Sequence, residues 1–132
     1  MKKTKQILFI AFMFITCFIQ AQTIKNVTSL EFYEQLDSLN NSESMIIIDS
    51  RNNRKYSEGH ISGAINIDAF SDDMQTQLME YISTKIIVVY CKENTRSETI
   101  IKALNENKFA GIIIDITDGF TGWTENNLPV EE

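Results

Sequence analysis

Cys91 is the side chain best suited to covalent chemistry, and the residues after it are the ones such chemistry would use. The stretch reads Tyr90-Cys91-Lys92-Glu93-Asn94-Thr95-Arg96-Ser97. Directly before it, Ile86 to Tyr90 are continuous, β-branched and aromatic, as a strand buried on both faces requires. Directly after it, Ser97 is a good helix N-cap residue, and Ile100, Ile101 and Leu104 recur at helical spacing. Cys91 therefore stands at the carboxyl end of a strand and faces a helix N-terminus. Unpaired N–H groups and a partial positive charge gather there, and both favour a thiolate. The polar run from Lys92 to Arg96 argues against a buried thiol.

Other candidates point to the same edge. Asp49 and Arg51 directly follow the apolar run Met45 to Ile48. They read as a structural pair at the carboxyl end of a second strand, where open α/β sheets place their ligands. His60 is the only histidine. A general base is one use for it, but within Gly59-His60-Ile61 it reads as a brace for a turn. Trp123 reads as core, with its N–H bonded to a loop. Cys91 lacks a Cys-x-x-Cys partner, no cysteine and histidine cluster suits zinc, and no glycine-rich phosphate loop is present. No metal or cofactor is implied.

The elements that must hold these residues alternate. Thr23 to Val27 reads as an edge strand. Thr28 and Glu31 fit a capping box for a helix carrying Phe32, Leu36 and Leu39. Met45 to Ile48 is a short buried strand, Tyr56 to Gly63 a loop, and Ala64 to Ile67 another short strand. Ser71-Asp72-Asp73 suits a helix start, with acids at its positive end, ahead of Met74, Leu78, Tyr81 and Ile82. After the cysteine loop and its helix come a last strand, Ile112 to Ile114, then a turn and short helical piece from Asp118 to Trp123. Leu128-Pro129 closes the domain, and Glu131-Glu132 reads as a solvated tail. This is the α/β pattern: a central, mostly parallel sheet with helices on both faces.

Composition bounds the rest. The chain has 132 residues, 43% hydrophobic and 23% charged, with one proline and five glycines. That describes one globular domain with a real core. Met1 to Ala21 stands apart: Lys2, Lys3 and Lys5 precede an apolar run from Ile7 to Ile19, and Ala21 offers a small residue for cleavage. This is the pattern of a secretory signal peptide, too short to span a bilayer comfortably. The domain is thus expected over residues 22–132, exported, periplasmic or secreted, with no stable membrane insertion after cleavage. Removing the three lysines and no acid takes the net charge from −6 to −9. So acidic a domain is a poor nucleic-acid binder. Cys17 leaves with the leader, so Cys91 is the one remaining thiol and no internal disulfide forms.

Three motifs in order carry a resemblance. Ile48-Asp49-Ser50-Arg51, followed by Gly59-His60-Ile61-Ser62-Gly63-Ala64-Ile65-Asn66, is the first. Val89-Tyr90-Cys91 through Arg96-Ser97 is the second, and Asp118-Gly119-Phe120 with Gly122-Trp123 the third. Together they strongly resemble the rhodanese family, in particular its small single-domain exported members, over the whole expected domain. The resemblance implies a sulfurtransferase. Cys91 would take a sulfane sulfur from thiosulfate or a persulfide donor and pass it to a thiophilic acceptor, cyanide or a thiol. Lys92, Glu93, Asn94, Thr95, Arg96 and Ser97 would form the active-site loop, whose N–H groups stabilise the anionic sulfur. Asp49, Arg51 and His60 would support it, with Arg96 bracing the loop against Asp49.

Related phosphatases and arsenate reductases use a loop one residue longer. The four residues between Cys91 and Arg96 favour sulfur over phosphate. A binding module that uses the fold without catalysis is the other alternative. Two residues depart from the family pattern. Asn94 stands where glycine is usual and where a tight ring would need positive φ, a conformation asparagine tolerates. Glu93, with the acidic domain, disfavours doubly negative thiosulfate and points to a neutral or protein-bound persulfide.

Overall fold

A computed structural model describes residues 22–42 and 44–132. The expected leader, Met1 to Ala21 with Cys17, lies outside the described residues. Among those described, no helix is long and apolar enough to cross a membrane.

The elements run β1 (Thr23–Val27), α1 (Ser29–Ser42), β2 (Met45–Asp49), α2 (Asn53–Glu58), β3 (His60–Ile61) and β4 (Ile65–Asn66). They continue with α3 (Met74–Met79), β5 (Ile86–Tyr90), α4 (Thr95–Glu106), β6 (Ile112–Ile116), α5 (Gly119–Glu125) and β7 (Val130–Glu131). The main sheet has five strands in the order β1-β6-β5-β2-β4, and every pairing in it is parallel. β5 is its centre, and all five of its residues are buried. Alternation along the strand divides them between two cores. Ile87 and Val89 pack with Met74 and Leu78 of α3 and Ile100 and Leu104 of α4. Ile86, Val88 and Tyr90 pack with Phe32 of α1 and Trp123 of α5. The expected α/β architecture is the one observed.

Local chemistry starts and ties the helices. The capping box at α1 forms: Thr28 N–H donates to Glu31 Oε2 at 2.7 Å, and Glu31 N–H donates to Thr28 Oγ1 at 3.3 Å. Asp118 adds a tertiary cap, accepting from Ser29 N–H at 2.7 Å and from the Ser29 hydroxyl at 2.8 Å. Trp123 packs edge-on against Tyr33, ring centres 5.8 Å apart, and donates its N–H to the Pro129 carbonyl at 2.8 Å.

The structure departs from the sequence reading at four places here. The Tyr56–Gly63 loop contains the end of a short helix, α2, capped by Asn52, and the two-residue strand β3. The fourth strand shrinks to Ile65–Asn66, whereas the last long strand extends two residues further, to Ile116. Asp73 occupies the N-cap position of α3 but makes no side-chain cap bond. The C-terminus is no free tail: β7 pairs antiparallel with β3, and Glu131 accepts from the Ser62 hydroxyl at 2.7 Å.

Candidate active site

Parallel strands bring the ends of β2 and β5 side by side, with Asp49 beside Tyr90. Cys91 follows immediately. Its thiol lies on the floor of a cleft of about 770 Å³ at this edge, walled by Arg51, Lys92, Arg96, Phe120 and Thr121 among others. That volume is in the range of small-molecule sites. Against expectation, Cys91 is buried, only 3% exposed. The polar residues after it curl over it as a rim, with Lys92, Glu93, Asn94 and Thr95 all exposed.

The rim is a ring of donors. The Cys91 carbonyl accepts from Phe120 N–H at 2.8 Å, and the Lys92 carbonyl accepts from Thr121 N–H at 3.3 Å. The N-terminus of α5 thus draws the loop carbonyls to its own side. The backbone N–H groups of Lys92, Glu93, Asn94, Thr95 and Arg96 have no acceptor among the described residues. Five free donors around one sulfur form an anion cradle, reinforced by the start of α4.

Gly119 makes the approach of α5 possible. It has φ +57°, and a Cβ built there would lie 2.4 Å from the Cys91 carbonyl oxygen and 2.5 Å from that of Lys92. Gly119→Ala is therefore expected to cost at least about 1–3 kcal/mol of stability and to displace the cysteine loop. Urea unfolding, together with the rate of Cys91 alkylation, checks both effects.

Two details of the loop differ from the sequence reading. Ser97 is not the N-cap of α4: the helix begins at Thr95 with Asn94 as the cap residue. Ser97 lies one turn in, fully buried, and its hydroxyl donates to the Asn94 carbonyl at 2.7 Å. The hydroxyl oxygen is 3.9 Å from Cys91 Sγ. Asn94 does not adopt positive φ: its φ is −153°. The ring closes because the helix starts earlier, without a left-handed residue.

The supporting residues sort themselves differently from one another. Asp49 and Arg51 are the structural pair expected. The guanidinium holds the fully buried carboxylate through Nη2 at 2.7 Å and Nε at 3.0 Å, and Nη2 also donates to the Gly59 carbonyl at 2.7 Å. Burial works against the Arg51 charge, but the bonds and charge of Asp49 outweigh it and hold its proton more tightly than usual. Its carbon lies 4.1 Å from the centre of the Phe120 ring, which builds one wall of the cleft. Tyr90 completes the group, donating to Asp49 Oδ2 at 2.6 Å and accepting from Ile61 N–H at 3.0 Å. Burial, with Asp49 alongside, keeps the Tyr90 phenol protonated.

Arg96 is not braced against Asp49, whose oxygens are already occupied. Its Nη1 donates to Asp68 Oδ1 at 2.6 Å, and its guanidinium lies 4.4 Å from the centre of the Phe70 ring. His60 sits outside the cleft lining. It stacks on Tyr56 with ring centres 3.8 Å apart, and its Nδ1 lies 3.0 Å from the Tyr56 carbonyl oxygen. It braces a turn, as its motif predicts.

Asp68, Tyr90 and Asp115 are the residues that sequence reasoning missed. Asp68 lies in a turn with no motif, 28 residues before its partner. Tyr90 reads simply as the last apolar residue of β5. Asp115 gave one signal, a carboxylate inside a run of isoleucines.

The geometry defines a class first: an open parallel α/β domain with a cysteine-centred anion cradle at the carboxyl edge of its sheet. The comparisons then place the chain, which belongs to the rhodanese-like domain family, whose profile matches residues 32–126. It is 33% identical over 105 residues to tRNA uridine(34) hydroxylase of Buchnera aphidicola subsp. Acyrthosiphon pisum (strain Tuc7), covering 74% of this chain and 32% of that protein. It is 30% identical over 96 residues to thiosulfate sulfurtransferase 16, chloroplastic, of Arabidopsis thaliana, covering 64% of this chain and 78% of that one. The chain thus spans about a third of the length of the hydroxylase. Among solved structures, the rhodanese-like domain of the Alr3790 protein of Anabaena sp. superposes with TM-score 0.65 at 20% identity, covering 83% of this chain and 77% of that one. A full-length protein from Lactobacillus plantarum superposes with TM-score 0.60 at 26% identity, covering 76% and 83%. Membership supports a sulfur-related transferase role.

Proposed function

We propose that this chain is a sulfurtransferase that carries sulfane sulfur as a persulfide on Cys91. The observation that carries the reading is the ring of free N–H groups from Lys92 to Arg96 around a single cysteine sulfur. In the first half-reaction the Cys91 thiolate attacks the outer sulfur of the donor. The new S–S bond forms as the donor's own S–S bond breaks, and sulfite or a thiolate leaves with the electron pair. The terminal sulfur of the persulfide then lies within the ring, where the N–H dipoles stabilise its charge. In the second half-reaction cyanide or a thiol attacks that sulfur and the Cys91 thiolate is regenerated.

The cleft also bears on the donor. Lys55 and Lys92 are offset by Glu58, Glu93 and Glu125 in its lining, and Arg51 is already neutralised by Asp49. Such a wall gives little net attraction to a dianion, and the space suits something larger than thiosulfate. An organic persulfide is the donor these features favour. The sequence reading adds export: the basic and apolar start from Met1 to Ala21 would deliver the domain to the periplasm or medium, which cell fractionation checks.

Steady-state transfer to cyanide tests the activity, with thiosulfate and a small organic persulfide as alternative donors and an aryl phosphate as the control. Both donors are expected to turn over, the persulfide with the higher kcat/KM, and the phosphate ester to remain intact. Phosphate hydrolysis that depends on Cys91 would replace this reading with that of a phosphatase. Failure of both donors would replace it with that of a binding module.

A further inference from the structure

Asp115 breaks the pattern of its strand. β6 reads Ile112-Ile113-Ile114-Asp115-Ile116, and the aspartate is only 5% exposed. Alternation puts it on the same face as Ile113, towards α4. Its neighbours across the sheet are Asn26 of β1 and Val89 of β5, and Val89 stands two residues before Cys91. Asp115 Oδ1 is buried with no hydrogen-bond partner. The side chain that does reach the carboxyl is the Ser97 hydroxyl, the same group that lies 3.9 Å from Cys91 Sγ.

A buried carboxyl without a cation neutralises itself. Burial raises the proton affinity of Asp115, Glu98 on α4 adds to the rise, and the Ser97 bond offsets only part of it. A neutral carboxylic acid is a donor. The Ser97 oxygen has one proton, committed to the Asn94 carbonyl at 2.7 Å, and lone pairs to accept others.

We propose that Asp115, as a carboxylic acid, is a positioning residue for Cys91, donating its O–H to Ser97 Oγ and so holding that hydroxyl beneath the sulfur. While Cys91 is a thiol, its S–H points at Ser97 Oγ. When the thiol proton leaves through the cleft to water, the Ser97 hydroxyl swings from the Asn94 carbonyl to the thiolate. The Asp115 donor keeps the serine oxygen in place throughout. No proton passes between Asp115 and Cys91, and no other reactant is needed. The inference rests on Cys91 as the reactive thiol of the proposed function. Its readout is alkylation rather than sulfur transfer, so the two stand or fall separately.

The test is the pH profile of iodoacetamide alkylation of Cys91 in the full chain, for wild type, Asp115→Leu and Asp115→Asn. Leucine removes the donor, whereas the asparagine amide restores one in the same place without an ionisable proton. The pH midpoint of D115L is expected to rise by about one unit, roughly a tenfold slower reaction below it. D115N is expected to recover most of that loss. On the alkaline side the wild type should lose reactivity as Asp115 ionises and its donor vanishes, and D115N should not. That second comparison holds even where D115L fails to fold. Superimposable profiles for wild type and D115N along the alkaline limb would overturn the proposal. So would a D115N profile shifted as far as that of D115L, which would show that the carboxylate itself is needed.

Discussion

Cys91→Ser is expected to reduce sulfur transfer to the uncatalysed background, a loss of at least about 10³-fold, while the domain stays folded. Serine offers a hydroxyl in place of the thiol, and a hydroxyl forms no persulfide, so the covalent intermediate disappears. The fold tolerates the change because the replaced atom is one among a fully buried central strand and its flanking cores. The serine can also still donate to Ser97 Oγ. Activity with thiosulfate and with an organic persulfide, measured beside the melting curve, separates the two effects. Loss of activity with an unchanged melting curve is the expected pair. Retained transfer would remove Cys91 from the mechanism.

Arg51→Ala is expected to give the largest loss of stability of any single side chain near the cleft, about 3–5 kcal/mol. The reason lies less in the pair than in what its removal leaves behind. Asp49 is 0% exposed and would keep its charge with only Tyr90 and the Arg51 backbone N–H as donors. The Gly59 carbonyl would lose its donor, and the Phe120 ring its stacked guanidinium. Domains of this size are stable by only about 5–15 kcal/mol, so the urea midpoint should fall steeply. Arg54→Ala is the contrast. Arg54 meets Glu58 at 3.6 Å with its side chain 76% exposed, and losing such a pair is expected to cost at most about 1 kcal/mol. Equal losses for the two variants would show that burial of the Asp49–Arg51 pair has no energetic consequence.

The parts of the fold legible in the sequence are those with a period or a local bond. Ile86 to Tyr90 announce a doubly buried strand by composition alone, and Thr28 with Glu31 announce a helix start because both partners lie within one turn. Asp49, Arg51 and His60 were legible in role, since their partners lie within a few residues. What was hidden depends on distance along the chain. Nothing near Arg96 names Asp68, and nothing near Ser29 names Asp118. α2 buries none of its residues, so it carries no apolar stripe to reveal it. The burial of Cys91 was misread because its sequence neighbours are polar. They point outward as a rim, and the thiol is enclosed by α4 and α5, which arrive from elsewhere. Asp115 escaped notice for the converse reason: a strand read by its isoleucines ends, on paper, at the first charge.

The central claim is that Cys91 carries the transferred sulfur. Its most direct test is the intact mass of the chain after incubation with thiosulfate, and separately with a small organic persulfide. The account predicts a gain of one sulfur atom, mapped to Cys91, removed by cyanide and absent from Cys91→Ser. A chain that gains no sulfur from either donor, with its Cys91 thiol shown to be free, would contradict it.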